Sequence, residues 1–323
     1  MTIAPSCLRM ELWPSRQDSH GIPHLGFELG IRSWLTRTLL LLVAMGALMA
    51  GAEAEPKYFP LWDGQAPGTS GASGPETFDG EGRVKNVSSP GIEVYLPPRS
   101  ATPSPAIIIC SGGGYTQLAV KRCGQGLAAA VLPRGIAVIS LKYRVSRASR
   151  ETMLNAMLDG RRALRLVRSH AQDWNIDPRQ VGMVGFSAGA NLLMNLAFTP
   201  EGARPAAPDA TGAIESQSAA PDFLGLFSTW PNGQKVADFA IAASCPPVFL
   251  GIAQDDTTAP PAFSAALREA LEKAHVPVKF LSYPDGGHTA FNFGVGKHQD
   301  WPALLLAWLE GRGLLQPAAK SGR

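Results

Sequence analysis

The chain is short of charge. Lysine and arginine number 29 and aspartate and glutamate 26 among 323 residues, a formal balance of +3. No Lys/Arg cluster stands out, so the basic footprint that nucleic acid binding demands is missing. Cysteine is scarce too, four in all. No Cys-x-x-Cys spacing occurs, and the sequence makes no case for a metal site. No internal repeat divides the chain. The apolar run from Thr38 to Ala50 is too short to span a bilayer comfortably. Arg32 and Arg37 precede it and Ala52-Glu53-Ala54 follows, which describes a signal peptide cut after about Ala54. An uncleaved membrane anchor is the alternative reading. On the first reading the protein is exported, to the periplasm or the medium, with no stable membrane insertion after cleavage. Residues 1–31 fit neither a folded element nor a normal leader and read as an upstream extension or an early start codon. Without Cys7, the thiols of Cys110, Cys123 and Cys245 are odd in number, so at least one stays free. Cys110 and Cys245 sit in apolar stretches and read as small buried hydrophobes.

What remains is an ordinary globular composition with enough chain for one large core. After a Gly/Pro/Ser-rich segment, strand-like and helix-like stretches alternate. Short apolar runs occur at Ile92 to Leu96, Ala106 to Cys110, Ile136 to Leu141, Val181 to Val184, Phe223 to Phe227, Val248 to Ile252 and Val278 to Leu281. Helical spacing covers Leu118 to Leu132, Glu151 to Trp174, Ala188 to Phe198, Pro261 to Ala274 and Gln299 to Leu309. Asn175-Ile176-Asp177-Pro178 stops the second of these. Continuous apolar runs alternating with helices predict an α/β fold, a mostly parallel sheet with helices on both faces. Residues 199–220 and 228–243 fit the alternation worst and are expected to form a small cap. The expected divisions are 1–54 as extension and leader, 55–90 as an extended N-terminus, 91–315 as the catalytic domain and 316–323 as a tail.

The most informative motif is Gly185-Phe186-Ser187-Ala188-Gly189, which follows the apolar run Val181 to Val184 and precedes a helical stretch. It reads as a nucleophile elbow. A serine hydroxyl is a weak nucleophile, so it needs a base within reach and N–H groups for the oxyanion it creates. Upstream, Ile107-Ile108-Ile109-Cys110 runs into Ser111-Gly112-Gly113-Gly114-Tyr115. The amides of Gly113 and Gly114, with that of Ala188, are candidates for an oxyanion hole, each donor worth roughly 3 kcal/mol of transition-state stabilisation. The alternative is a flexible glycine-rich turn. Downstream, the strand Val248 to Ile252 leads to Asp255 and Asp256; either could orient a histidine, and the other would be a solvated loop or N-cap residue. His288 follows Gly286-Gly287 after the last strand. Of the other histidines, His20 and His24 precede the leader, His170 and His275 fall near helix ends, and His298 reads as a surface or capping residue at the last helix. The chain order Ser, Asp, His is that of an α/β-hydrolase arrangement.

These residues together resemble the α/β-hydrolase fold esterases, particularly the bacterial exported acetyl esterase and acetyl-xylan esterase-like branch, from about Val84 to Leu309. The likeness is carried by Val94-Tyr95-Leu96-Pro97, Cys110 to Tyr115, Leu141 to Arg144, Asp159 with Arg162 to Arg168, Ile176-Asp177-Pro178, Gly185 to Gly189 and Gly286-Gly287-His288. In that family the acid precedes by four residues a proline that opens the next helix. Asp256 stands so before Pro260, and the resemblance therefore selects it over Asp255. Three positions depart from the family pattern: Ser111 stands where His or Pro is frequent, Asn191 where His is frequent and Ala259 where Val is usual. Tyr143, Arg144 and Asp159 are expected to form a structural polar network beneath the site, with a direct substrate role as the alternative. The implied activity is acyl transfer from short-chain, foremost acetyl, esters of small alcohols or carbohydrates, through Ser187, His288 and Asp256, with no cofactor. Its rate should fall in acid as the imidazole takes a proton. Two rival readings remain at this point. A prolyl oligopeptidase-type peptidase would carry a propeller and an aromatic residue where Ala188 stands; a non-catalytic hydrolase-like binding protein would show a broken triad or a blocked glycine loop.

Overall fold

A computed structural model describes residues 55–68, 72, 74–80, 82–200 and 212–315. The expected leader, residues 1–54, and the tail, residues 316–323, lie outside the described residues. In chain order the elements are β1 (Lys57–Pro60), β2 (Thr77–Phe78), β3 (Val84–Lys85), β4 (Gly91–Tyr95), β5 (Ser104–Cys110), β6 (Gln117–Leu118), α1 (Val120–Val131), β7 (Ala137–Lys142), α2 (Arg150–Ser169), α3 (Ala171–Trp174), β8 (Ile176–Phe186), α4 (Ala188–Phe198), β9 (Leu224–Phe227), β10 (Val248–Ala253), α5 (Pro261–Lys273), β11 (Val278–Tyr283) and α6 (Trp301–Gly311).

Eight strands form the main sheet in the order β1-β4-β7-β5-β8-β9-β10-β11. From β7 to β11 every pairing is parallel, while β4 lies antiparallel to both β7 and β1. All seven residues of β5 are buried. Its alternate side chains feed two cores: Ala106, Ile108 and Cys110 on one face, Ile107 and Ile109 on the other. A strand covered on both sides must be apolar at every position, which is why it reads as a run rather than an alternation. Helices α2, α4 and α5 cover the first face; α1 and α6 cover the second.

Several boundaries differ from the expectation for local reasons. The long helical stretch divides at His170 into α2 and α3, and Asn175, at φ 55°, closes the second in the left-handed conformation. Strand β8 then begins at Ile176, earlier than its apolar run. Its register against β5 jumps between Ser104 and Ala106, and the resulting bulge absorbs Pro178, which could not have donated to a regular ladder. Segment 55–90 is extended as expected, but it is also paired: β1 forms one edge of the main sheet, and β2 and β3 join β6 in a separate three-stranded sheet. Of the two segments expected as a cap, 228–243 reaches the cleft through Trp230. The described part of the other docks against α2 instead: Glu215 pairs with Arg162 and Arg165, and the carbonyls of Gln217 and Ser218 accept from Arg165 and Arg168. Residues 201–211 lie outside the described residues.

Because β5, β8, β10 and β11 are parallel, their C-terminal ends share one rim of the sheet. Gly112, Ser187, Asp256 and His288 all lie on loops leaving that rim.

Candidate active site

Ser187 sits between β8 and α4 with φ 52° and ψ −117°, a backbone conformation that non-glycine residues seldom adopt. Neighbouring strand and helix hold it there: its N–H donates to Phe227 O at 3.0 Å and its carbonyl accepts from Asn191 N at 3.0 Å. The turn is possible because of close backbone approach at two glycines. A Cβ on Gly189 would meet Cys110 O at 2.2 Å, and one on Gly185 would meet Gly189 C and O at 2.6 Å. Without those Cβ atoms the helix can start directly above the strand end.

The histidine arrives from β11. Its Nε2 lies 2.8 Å from Ser187 Oγ, and its Nδ1 lies 2.9 Å and 3.1 Å from the two carboxylate oxygens of Asp256. Asp256 is itself oriented by main chain, Oδ1 accepting from Thr258 N at 2.9 Å and Ala259 N at 2.8 Å. The Asp256 side chain is wholly buried whereas the His288 ring is 26% exposed. The carboxylate is therefore shielded, and the ring opens onto the cleft. Asp255 points elsewhere. It is an exposed loop residue and caps no helix; its carboxylate accepts from Gly287 N at 2.7 Å and Gly286 N at 3.2 Å.

The glycine loop after β5 presses on the elbow: a Cβ on Gly112 would stand 2.9 Å from Phe186 O and 3.0 Å from Ser187 Cβ. The N–H groups of Gly113, Gly114 and Ala188 have no acceptor among the described residues. Gly113 and Gly114 line the same cleft as Ser187 and His288. The loop is braced from behind by Tyr143, whose hydroxyl donates to Ser111 O at 2.7 Å, and by Ser111 Oγ, which accepts from Ala119 N at 3.1 Å. Ser111 thus supplies its own support to the turn. Asn191, the other departure in this region, is fully buried and accepts from the Tyr115 hydroxyl at 2.9 Å while donating to Gln234 Oε1 at 2.9 Å.

The cleft has a volume of about 440 Å³. Its walls include Gln117, Trp230, Asn292 and Phe293, none of which the sequence singled out. Trp230 and Asn292 lie in irregular loops, where no periodicity marks a residue. Cys123 also lines the cleft, and burial pushes its thiol up to about 12, so it stays protonated and is no rival nucleophile. Tyr143, Arg144 and Asp159 are at most 1% exposed. Asp159 accepts from Arg144 Nε, Nη2 and N and from Trp62 Nε1, while Arg144 Nη2 also donates to Asn155 O. His298 is neither a surface residue nor a cap: its ring stacks on Tyr283 at 3.8 Å and Nε2 meets Asp285 O at 2.8 Å, because the chain folds back so that its N–H reaches Ala290 O. Among the described residues no cluster of His, Cys, Asp and Glu could hold a metal ion. No helix among them is long and apolar enough to cross a membrane.

Comparison with solved structures places the architecture. An acetyl ester-xyloside bifunctional hydrolase from Caldicellulosiruptor lactoaceticus matches with a TM-score of 0.63 at 26% identity, covering 82% of this chain and 100% of that one. The chain has the α/β-hydrolase fold. An esterase of Thermogutta terrifontis shares this hydrolase fold at a TM-score of 0.61 and 24% identity, over 74% of this chain and 91% of that one. Within the hydrolase-fold region, residues 92–216 match the BD-FAE family model. Over 87 residues the chain is 36% identical to an acetylxylan esterase of Xylanibacter ruminicola, 27% of this chain and 18% of that protein. Over 202 residues it is 23% identical to endo-1,4-beta-xylanase B of Butyrivibrio fibrisolvens, 56% of this chain and 32% of that protein. The chain spans less than a third of the length of these two curated relatives.

Proposed function

We propose that this chain is a serine carboxylic-ester hydrolase that removes short acyl groups, acetyl foremost, from alcohols that include carbohydrates. The single observation that carries the reading is the continuous line from Ser187 Oγ through both nitrogens of His288 to Asp256, at 2.8 Å and 2.9 Å. His288 Nε2 takes the proton of Ser187 as Oγ attacks the ester carbonyl. Asp256 keeps the second proton on Nδ1 and stabilises the imidazolium without accepting that proton. The amides of Gly113, Gly114 and Ala188 meet the oxyanion. His288 then returns the proton to the departing alcohol, and water repeats the sequence on the acyl-enzyme, releasing the acid and restoring Ser187. The acetyl and carbohydrate preference is supported by the relatives that bear those names, an acetylxylan esterase and an acetyl ester-xyloside hydrolase.

The test is hydrolysis of p-nitrophenyl acetate and of acetylated xylan by the wild type and by Ser187→Ala. The substitution is expected to lower kcat by roughly six orders of magnitude. A variant as fast as the wild type overturns the serine assignment; activity on the aryl ester alone overturns the carbohydrate part.

A further inference from the structure

The loop that bears His288 is gripped at two points by two consecutive residues. Strands β10 and β11 pair from Val248 and Val278 up to Ala253 and Tyr283, and Gln254 N continues the seam to Tyr283 O at 2.8 Å. One residue on, the Asp255 carboxylate accepts from Gly287 N at 2.7 Å and Gly286 N at 3.2 Å. The next residue, Asp256, takes His288 Nδ1. Main-chain pairing, a carboxylate on main chain and a carboxylate on a ring therefore follow one another without a gap. Gly286 and Gly287 have φ of 119° and 59°. Successive N–H groups in such a turn face the same side and make a concavity for an anion. Here the anion comes from the neighbouring loop.

We propose that Asp255 is a positioning residue for ester hydrolysis, holding the backbone beside His288 through the Gly286 and Gly287 amides so that the ring keeps Nδ1 on Asp256 and Nε2 on Ser187. The inference rests on the esterase reading above. Asp255 is exposed and does not line the cleft, so it makes no substrate contact there. A ring displaced by about 1 Å loses up to about a hundredfold in rate, while loss of a solvent-exposed contact barely moves global stability.

The experiment measures kcat and KM of the full chain on p-nitrophenyl acetate and, without substrate, the downfield proton resonance of His288 Nδ1–H. Asp255→Ala is expected to lower kcat about tenfold or more with KM unchanged and to broaden the resonance. Asp255→Asn keeps an acceptor oxygen without the charge and should recover part of the rate. If the alanine variant does not fold, Asp255→Glu replaces it: the charge stays, the carboxylate moves by one methylene, and kcat should fall likewise. Alanine, or in its place glutamate, with kcat within twofold of the wild type overturns the proposal. So do equal losses in the Ala and Asn variants, which would assign the effect to charge rather than to the grip on the loop. A wild type inert toward esters whose Nδ1–H resonance still depends on Asp255 would overturn the esterase reading and leave the loop grip standing.

Discussion

Asp256 and Asp159 are two buried carboxylates that hold a nitrogen base at the same distance, yet they do opposite things. Asp256 meets His288 Nδ1 at 2.9 Å and Asp159 meets Arg144 Nη2 at 2.9 Å, and both carboxylate side chains are fully shielded. The partners differ. Arg144 is 1% exposed, and Asp159 closes on four donors from Arg144 and Trp62, so nothing is left to react. His288 turns its second nitrogen toward Ser187 and the cleft. Burial pushes the Asp159 carboxyl up, and the Arg144 guanidinium opposes that push. Each member of that pair is therefore a liability without the other. A shielded carboxylate serves structure when its partner's donors are all spent within the fold, and it can serve chemistry when the partner spans from the interior to a solvent-facing hydroxyl.

Three substitutions sharpen this contrast. Asp256→Asn should lower kcat by about four orders of magnitude while leaving the fold intact, because its carbonyl oxygen stays with the Thr258 and Ala259 amides and its NH2, a donor, replaces the oxygen that faces Nδ1 and sets the tautomer; steady-state kinetics beside thermal unfolding reads both. Arg144→Met reverses the signature. It should destabilise the fold by about 3–5 kcal/mol, leaving Asp159 buried and alone, and chemical denaturation measures it. Tyr143→Phe removes the hydroxyl that braces Ser111 O and should cost about 1 kcal/mol in stability and a few-fold in kcat at most, read in the same two assays. If Asp256→Asn proved as destabilising as Arg144→Met, the two carboxylates would be doing the same work and the contrast would collapse.

Much of this arrangement was legible before any coordinates. Gly-x-Ser-x-Gly is a local signal, since the glycines answer to atoms within the same turn and the neighbouring loop. Continuous apolar runs such as Ile107 to Cys110 announced a sheet covered on both faces. Short paired strands such as Thr77–Phe78 stayed hidden, because two residues in a Gly/Pro-rich stretch carry no periodicity. Trp230 stayed hidden for the same reason.

The amino-acid sequence by itself determined the alternating α/β pattern, the elbow at Ser187 and the order in which serine, aspartate and histidine follow one another, because each depends on neighbours a few residues apart or on succession along the chain. Only the tertiary structure decided what Asp255 and Asp256 each touch. Adjacent side chains leave the backbone in different directions, and which one meets a ring and which meets two amides depends on how a loop 32 residues away is folded against them. The four-residue spacing from Asp256 to Pro260 points to the choice only through a family likeness; the contacts themselves are set by the packing of β10 beside β11.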